Sequence, residues 1–327
     1  MTTTLPSEVQ RVFDRFITTE YTTIDAAGQP ITWPVTPYYR PGAGAIDLTT
    51  GLGYPKKADD AARNRHVSLL FSDPTGSGLE EPCAVLVQGT AEVDDVDLVS
   101  NRERYLRESV EKLPATKSMH PPKAIMGWFD WYYARIYVYV RPERVFVWER
   151  GDFTREPQLF DAHIEEVRSA HSEEPPVDPA PPEGGPIKWD PRMDDLGRRH
   201  RTAVLSIAGP DGFPMSTRLE IEPDRDAGRV SLGALPDWLP AVAGKACLTA
   251  HEHDPEFLWQ ANFQIRGDLV EDASRWSLVP HRLIGGFELP KGKLAMYREN
   301  FGKMRRMRKI AKRELAHRRG LTRRSAR

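Results

Sequence analysis

At 327 residues the chain is long enough for about two domains, each with a sizeable core. With 39% hydrophobic and 28% charged residues, no apolar run near the roughly 20 residues of a membrane helix, and no basic-then-apolar segment in MTTTLPSEVQ, it reads as a cytosolic globular protein. The net charge of −1 conceals an asymmetry, because residues 291–327 hold 15 Lys+Arg against 2 Asp+Glu, leaving 31 against 45 elsewhere.

In chain order, Ser7 is a candidate cap for a helix with Val9, Val12, Phe13 and Phe16 at helical spacing. A hairpin follows, from Thr18 to Asp25 and from Ile31 to Tyr39 around the turn AAGQP. Ala45 to Thr50, His66 to Ser72 and Ala84 to Val93 are further strands, with helices predicted for Lys57 to Arg65 and Val96 to Glu111. WYYARIYVYVRPERVFVWE alternates strongly, so two strands joined at Arg141-Pro142-Glu143 are expected, with Ala134, Ile136, Val138 and Val140 on one face. Residues 172–187 hold six prolines, two glycines and four acids, the composition of an extended, solvated linker. The predicted division is therefore 1–171, linker 172–187, a second unit 188–290, and a basic tail 291–327. Many short strands with few helices predict a mainly β fold with some α, as barrels or sandwiches.

The second unit repeats the first faintly. Gly212-Phe213-Pro214 stands where Gly28-Gln29-Pro30 stands, and FQIRGDLVED matches VLVQGTAEVDD, with Gly267 answering to Gly89. The offset is slightly shorter at the second landmark than at the first, so the match needs a small gap. A duplicated domain accounts for both correspondences; chance recurrence of turn chemistry is the competing explanation.

The stretch Ile46 to Asp73 holds the strongest chemistry. A strand ends in Thr49 and Thr50, a glycine loop follows, and Lys56 and Lys57 open a short helix. Hydroxyls, loop amides, a helix N-terminus and two ammonium groups are the parts that hold a phosphate. The plainer alternative is a solvated helix start, since no Walker glycine pattern is present.

These residues resemble the split β-barrel superfamily of pyridoxamine 5'-phosphate oxidase-like proteins. The resemblance rests on TxDxxGxP at Thr23 to Pro30, TTG at Thr49 to Gly51, PKKADDAARN from Pro55, VSLLFSD from Val67, VQGTAEV from Val87 and RIYVYVRPERVFVW from Arg135. It implies two tandem split β-barrels plus a C-terminal basic helix, and FMN or the deazaflavin coenzyme F-420 as cofactor. Carried over by position, it places Trp33, Pro34 and Thr36 near the ring and Thr49, Thr50, Lys56 and Lys57 at the phosphate. Val85, Val87 and Gln88 stand where vitamin B6 oxidases carry an arginine, so that reaction is not expected. The second unit lacks a lysine pair and offers only Lys245, which implies one competent site and one degenerate partner within an intrachain pseudo-dimer, with a homodimer left open.

His251 and His253 would share one face of a strand and could ligate a metal given a third ligand; a polar strand end is the commoner meaning. Trp128, Phe129, Trp131, Tyr132 and Tyr133 could stack on a planar cofactor or fill a core, and core filling is favoured. Asp59 and Asp60 read as favourable charges in a first helical turn. Cys83 and Cys247 are too few for a disulfide framework, although a single bridge is open. In the tail, Leu294, Tyr297, Phe301, Met304 and Met307 mark an amphipathic helix from Lys293 to about His317, expected to dock on the acidic body, with nucleic acid as the other partner. The resulting expectation is an oxidoreductase that moves a hydride between FMN or F-420 and a small organic substrate. The alternatives are a non-enzymatic FMN sensor or DNA-associated regulator, and a haem-binding split-barrel protein.

Overall fold

The computed structural model describes residues 5–162, 180–184, 188–273, 275–285 and 304–318. Helix α1 (Ser7–Arg15) buries Val9, Val12 and Phe13. Pro6, not Ser7, is its N-cap, and no side chain caps it. Ser7 already lies inside the helix, whose entry is set by the fixed φ of the proline before it.

Strands β1 (Thr19–Ile24) and β2 (Pro30–Val35) form the expected hairpin. Its turn is closed by Asp25 Oδ1, which accepts from the Ala27 and Gln29 amides, while Gly28 supplies a φ of 72°. The continuation predicted to Tyr39 breaks at Thr36-Pro37, leaving the short β3 (Tyr38–Tyr39). Next come β4 (Ile46–Gly51), α2 (Lys56–Arg63), β5 (His66–Phe71), β6 (Ala84–Asp94), α3 (Leu98–Lys112) and α4 (Asp130–Tyr133). The turn expected at Arg141-Pro142-Glu143 does not form. Residues 135–148 are one strand, β7 (Arg135–Trp148), and β8 (Gln158–Asp161) pairs with its end. Pro142 falls opposite Gly89 at a register shift whose extra residue is Glu143 of β7, where the missing amide hydrogen interrupts no regular ladder. Ile136, Val138 and Val140 enter the core, as their alternation predicts.

The second sheet holds β9 (Thr202–Ala208), β10 (Pro214–Glu220), β11 (Glu222–Asp224), β12 (Arg229–Gly233), β13 (Gly244–His253), β14 (Gln260–Asp272) and β15 (Arg275–Gly285), preceded by the short α5 (Leu196–Arg199). The first sheet runs β2-β1-β5-β6-β7-β4-β3 and the second β10-β9-β13-β14-β15-β12-β11, the same path strand for strand. The irregularity before Gly89 recurs before Gly267. The architecture is mainly β, two antiparallel half-barrel sheets with a C-terminal helix, as the sequence predicts.

The two sheets meet along their first hairpins. Thr22, Thr32, Ser206 and Ser216 form a buried hydroxyl cluster, with Thr32 to Ser206 at 2.7 Å, Ser206 to Ser216 at 2.8 Å and Thr22 to Ser216 at 3.1 Å. Thr22 corresponds to Ser206 and Thr32 to Ser216 at the offset that relates Gly28 to Gly212, so the cluster marks the pseudo-twofold. Nearby, the Glu20 carboxylate accepts from Arg218 Nη2 at 2.7 Å and lies 2.7 Å from His251 Nε2. His251 and His253 share a face as expected, but they are held by Glu20, Thr18 and Asp73. Among the described residues, no group of three or more His, Cys, Asp or Glu side chains is arranged to hold a metal ion. Cys83 and Cys247 are both buried and free, so no bridge joins them.

Residues 304–318 form α6, the described part of the basic tail. Met304, Met307, Ala311 and Leu315 pack on the first core. Arg318 lies 2.6 Å from Asp59 and 3.3 Å from Glu314, and also pairs with Asp95. This part of the tail docks on the body, while Leu294, Tyr297 and Phe301 lie outside the described residues. Most of 172–187 does too. Its described portion is tied to the second sheet: Lys245 N donates to Ala180 O at 3.1 Å, and Asp268 accepts from the Glu183 and Gly184 amides. That portion is therefore not a freely solvated linker.

Candidate cofactor cleft

Pairing of β4 with β7 sets Thr49 opposite Tyr137 and Gly51 opposite Arg135. Because side chains alternate along a strand, Arg135, Tyr137 and Tyr139 leave the core on the face opposite Ile136 and Val138. The loop after β4 is pinned under α4. Leu52 N donates to Ala134 O, Gly53 N to Trp131 O at 2.7 Å, and Tyr54 N to Gly51 O. Thr50 Oγ1 donates to Tyr54 O at 2.8 Å. A Cβ on Gly51 would come within 2.8 Å of the Trp131 and Tyr132 carbonyl oxygens, so only glycine allows this approach. The loop amides expected to hold an anion are thus already committed to backbone carbonyls.

Helix α2 begins at Lys56 without a side-chain cap. Lys56 is exposed and lies 3.0 Å from Asp60 and 3.5 Å from Asp25. Asp60 is buried between Lys56 and Arg63, whereas the exposed Asp59 receives Arg318. The two acids expected merely to favour the first turn therefore have specific partners. Lys57, half-buried, has no hydrogen bond or ion pair among the described residues. Burial first, then the nearby Arg135 charge, pull its pKa down to about 8. Arg135 is itself buried, with its guanidinium 3.7 Å from the Tyr105 ring centroid and 4.2 Å from that of Tyr132. Its Nε is enclosed without a hydrogen-bond partner, and the guanidinium has no carboxylate partner among the described residues.

These groups border a cleft of about 900 Å³, within the usual span of small-molecule sites. All seven residues singled out from the sequence line it: Trp33, Pro34 and Thr36 from β2 and the segment after it, Thr49 and Thr50 from β4, and Lys56 and Lys57 from α2. Tyr132 and Tyr133 of the aromatic cluster also line it, although Tyr133 and Trp131 are buried and Trp128 is exposed beneath Arg308. The facing wall comes from the second sheet, through Asn262, Arg266, Arg282 and Ile284, and from α6, through Arg306, Met307 and Ile310. Sequence reasoning missed Arg135, Arg266, Arg282 and His120. The periodicity that sets Arg135 outside the core was a usable signal for it; nothing local marks the other three.

The pseudo-symmetric position carries aromatic contacts between the two units. There Phe213 stacks on His66 at 4.1 Å, Trp148 meets Trp238 at 4.8 Å, and Trp238 Nε1 donates to Phe153 O. Gln88 and Arg144 pair across β6 and β7 in the register that Arg266 and Arg282 hold across β14 and β15. Gln88 donates to Pro214 O, and Arg144 pairs with Asp211.

No protein-family profile matches the chain, and no curated protein matches it. Solved structures do. General Stress Protein 26 from Bacillus anthracis is 11% identical, covering 47% of this chain and 96% of its own, with a TM-score of 0.30. A protein of the pyridoxinephosphate oxidase family from Clostridium acetobutylicum, related to general stress protein 26, is 11% identical over 47% of this chain and 92% of its own, at 0.32. An F-420 reductase is 16% identical over 43% of this chain and 98% of its own, at 0.32. Each of these solved structures is matched over less than half of this chain, at 11–16% identity.

Proposed function

We propose that the cleft binds a planar redox cofactor with an anionic end, FMN or F-420, and that the chain is an oxidoreductase acting with it on a small organic substrate. The observation that carries this reading is a pair of cations lining one cleft, Lys57 and Arg135, near enough for the Arg135 charge to act on Lys57 and neither with an ion-pair partner among the described residues. Like charges kept together away from water favour an incoming anion, and Thr49 adds a hydroxyl. Trp33 and Pro34 offer a largely apolar surface to a ring, and the second sheet and α6 exclude water from the other side. When bound, the flavin or deazaflavin ring supplies the two-electron chemistry, so this chain's residues bind, orient and enclose. The same reading takes 1–171 as the unit holding the site and 188–290 as a degenerate copy that walls it. A fluorescence titration with FMN and with F-420 tests it. Micromolar or tighter binding of either is expected, and binding of neither removes the enzyme reading.

A further inference from the structure

Arg266 and Arg282 face the cleft from the second sheet as a directly opposed cross-strand pair on β14 and β15. Neither has an ion-pair partner among the described residues. Arg266 Nε donates to Gln264 Oε1 at 2.6 Å, which holds the stem and leaves the rest of the guanidinium unused by that bond.

The chain contains its own control. At the equivalent register in the first sheet, Arg144 meets the carboxylate of Asp211, and its strand partner is the neutral Gln88. On the open side Gln88 is replaced by a second cation, Arg266. Asp211 directly precedes Gly212, and the residue that directly precedes its counterpart Gly28, where a carboxylate would neutralise the pair, is Ala27. At this register the open side thus has one more positive charge and one fewer negative charge than its twin, with Asp25 and Asp60 as the carboxylates that act on Arg266.

Lys57 and Arg135 already form one such pair on the first sheet's side. A single phosphate neutralises one pair, not two on opposite walls. Burial, and the adjacent Arg282 charge, hold the Arg266 pKa below its ordinary value, although Asp25 and Asp60 act on it in the opposite sense.

We infer that Arg266 and Arg282 form a second anion subsite that takes a carboxylate-bearing group, distinct from the anion held by Lys57 and Arg135. This rests on the cofactor reading above. The carboxylate belongs either to the substrate or to the tail of an oligoglutamyl cofactor such as F-420.

The experiment compares wild type, Arg282→Gln and Arg266→Gln/Arg282→Gln by calorimetric titration. Arg282 is exposed, so the single variant does not threaten folding. The probes are FMN, F-420, and succinate added to FMN-loaded protein. FMN affinity should change by less than about twofold. If the substrate supplies the carboxylate, succinate binding weakens about tenfold or more in the double variant; if the cofactor tail supplies it, F-420 binding does so instead. When neither ligand depends on the pair while FMN still binds, the subsite is overturned and the cofactor reading stands. If no flavin binds, the cofactor reading falls, and succinate titrated alone reads the pair: loss of its binding in the variants supports the subsite, and no dependence on the pair overturns it.

Discussion

Of the two neighbouring lysines that the sequence singles out, one is spent on the protein and the other is not. Lys56 satisfies Asp60 and Asp25, whereas Lys57 stands beside Arg135. Lys57→Ala should therefore weaken a phosphate-bearing cofactor by about 1–3 kcal/mol, the range of a charge-assisted bond, and Lys56→Ala by less. Equal losses in the two titrations would reject this division of labour. The depressed pKa of Lys57 gives a second readout. Below about 8 the free protein holds a charged lysine against burial, and from there up to the ordinary lysine value it holds a neutral one. A bound anion raises the pKa again, so binding near pH 9 should take up a proton, measurable by calorimetry in buffers of different ionisation enthalpy. Thr49 and Lys57 were legible because they lie close in sequence on one strand–loop–helix unit. Arg135 was not legible as their partner, because only the β4–β7 pairing brings it there.

Among the elements, α6 is the clearest case of pattern becoming contact. Spacing of Met304 and Met307 predicted its apolar stripe, and both pack on the first core. No spacing rule could show that Arg318 would close the helix against Asp59 of α2 and Asp95 after β6. Arg318 is buried and carries three carboxylate partners, so Arg318→Ala leaves acids facing one another and frees the helix end. Amide exchange across 304–318 should accelerate in that variant while the sheets keep their protection. An unchanged exchange pattern would mean that the methionines alone hold α6. Strand β7 fails in the opposite direction: Arg-Pro-Glu reads locally as a turn, yet the strand runs on through it with Glu143 as one extra residue against β6.

For the whole molecule, the duplication was legible in two pairs of corresponding glycines, and the matching strand orders follow it. The structural asymmetry between the copies was only partly so. Absence of a lysine pair in the second copy showed, but the aromatic contacts near its equivalent position join both units and have no local signature. The units are also stapled by Glu20, Arg218 and His251, a cluster spread over β1, β10 and β13. Burial alone would raise the Glu20 pKa, yet the His251 hydrogen bond and the Arg218 charge hold it below the ordinary 4.5. The stability it contributes is therefore complete above about pH 4.5 and is lost as the pH falls through the lower folded value. Arg218→Ala should cost about 3–5 kcal/mol in denaturant unfolding at neutral pH and move the acid unfolding midpoint upward. An unshifted midpoint would assign the acid transition to other carboxylates.

Two identical copies would line two equal clefts, but here, among the described residues, Trp148 and Trp238 meet at 4.8 Å on the side of the second. The second sheet then serves the described cleft as its facing wall, through Asn262, Arg266, Arg282 and Ile284.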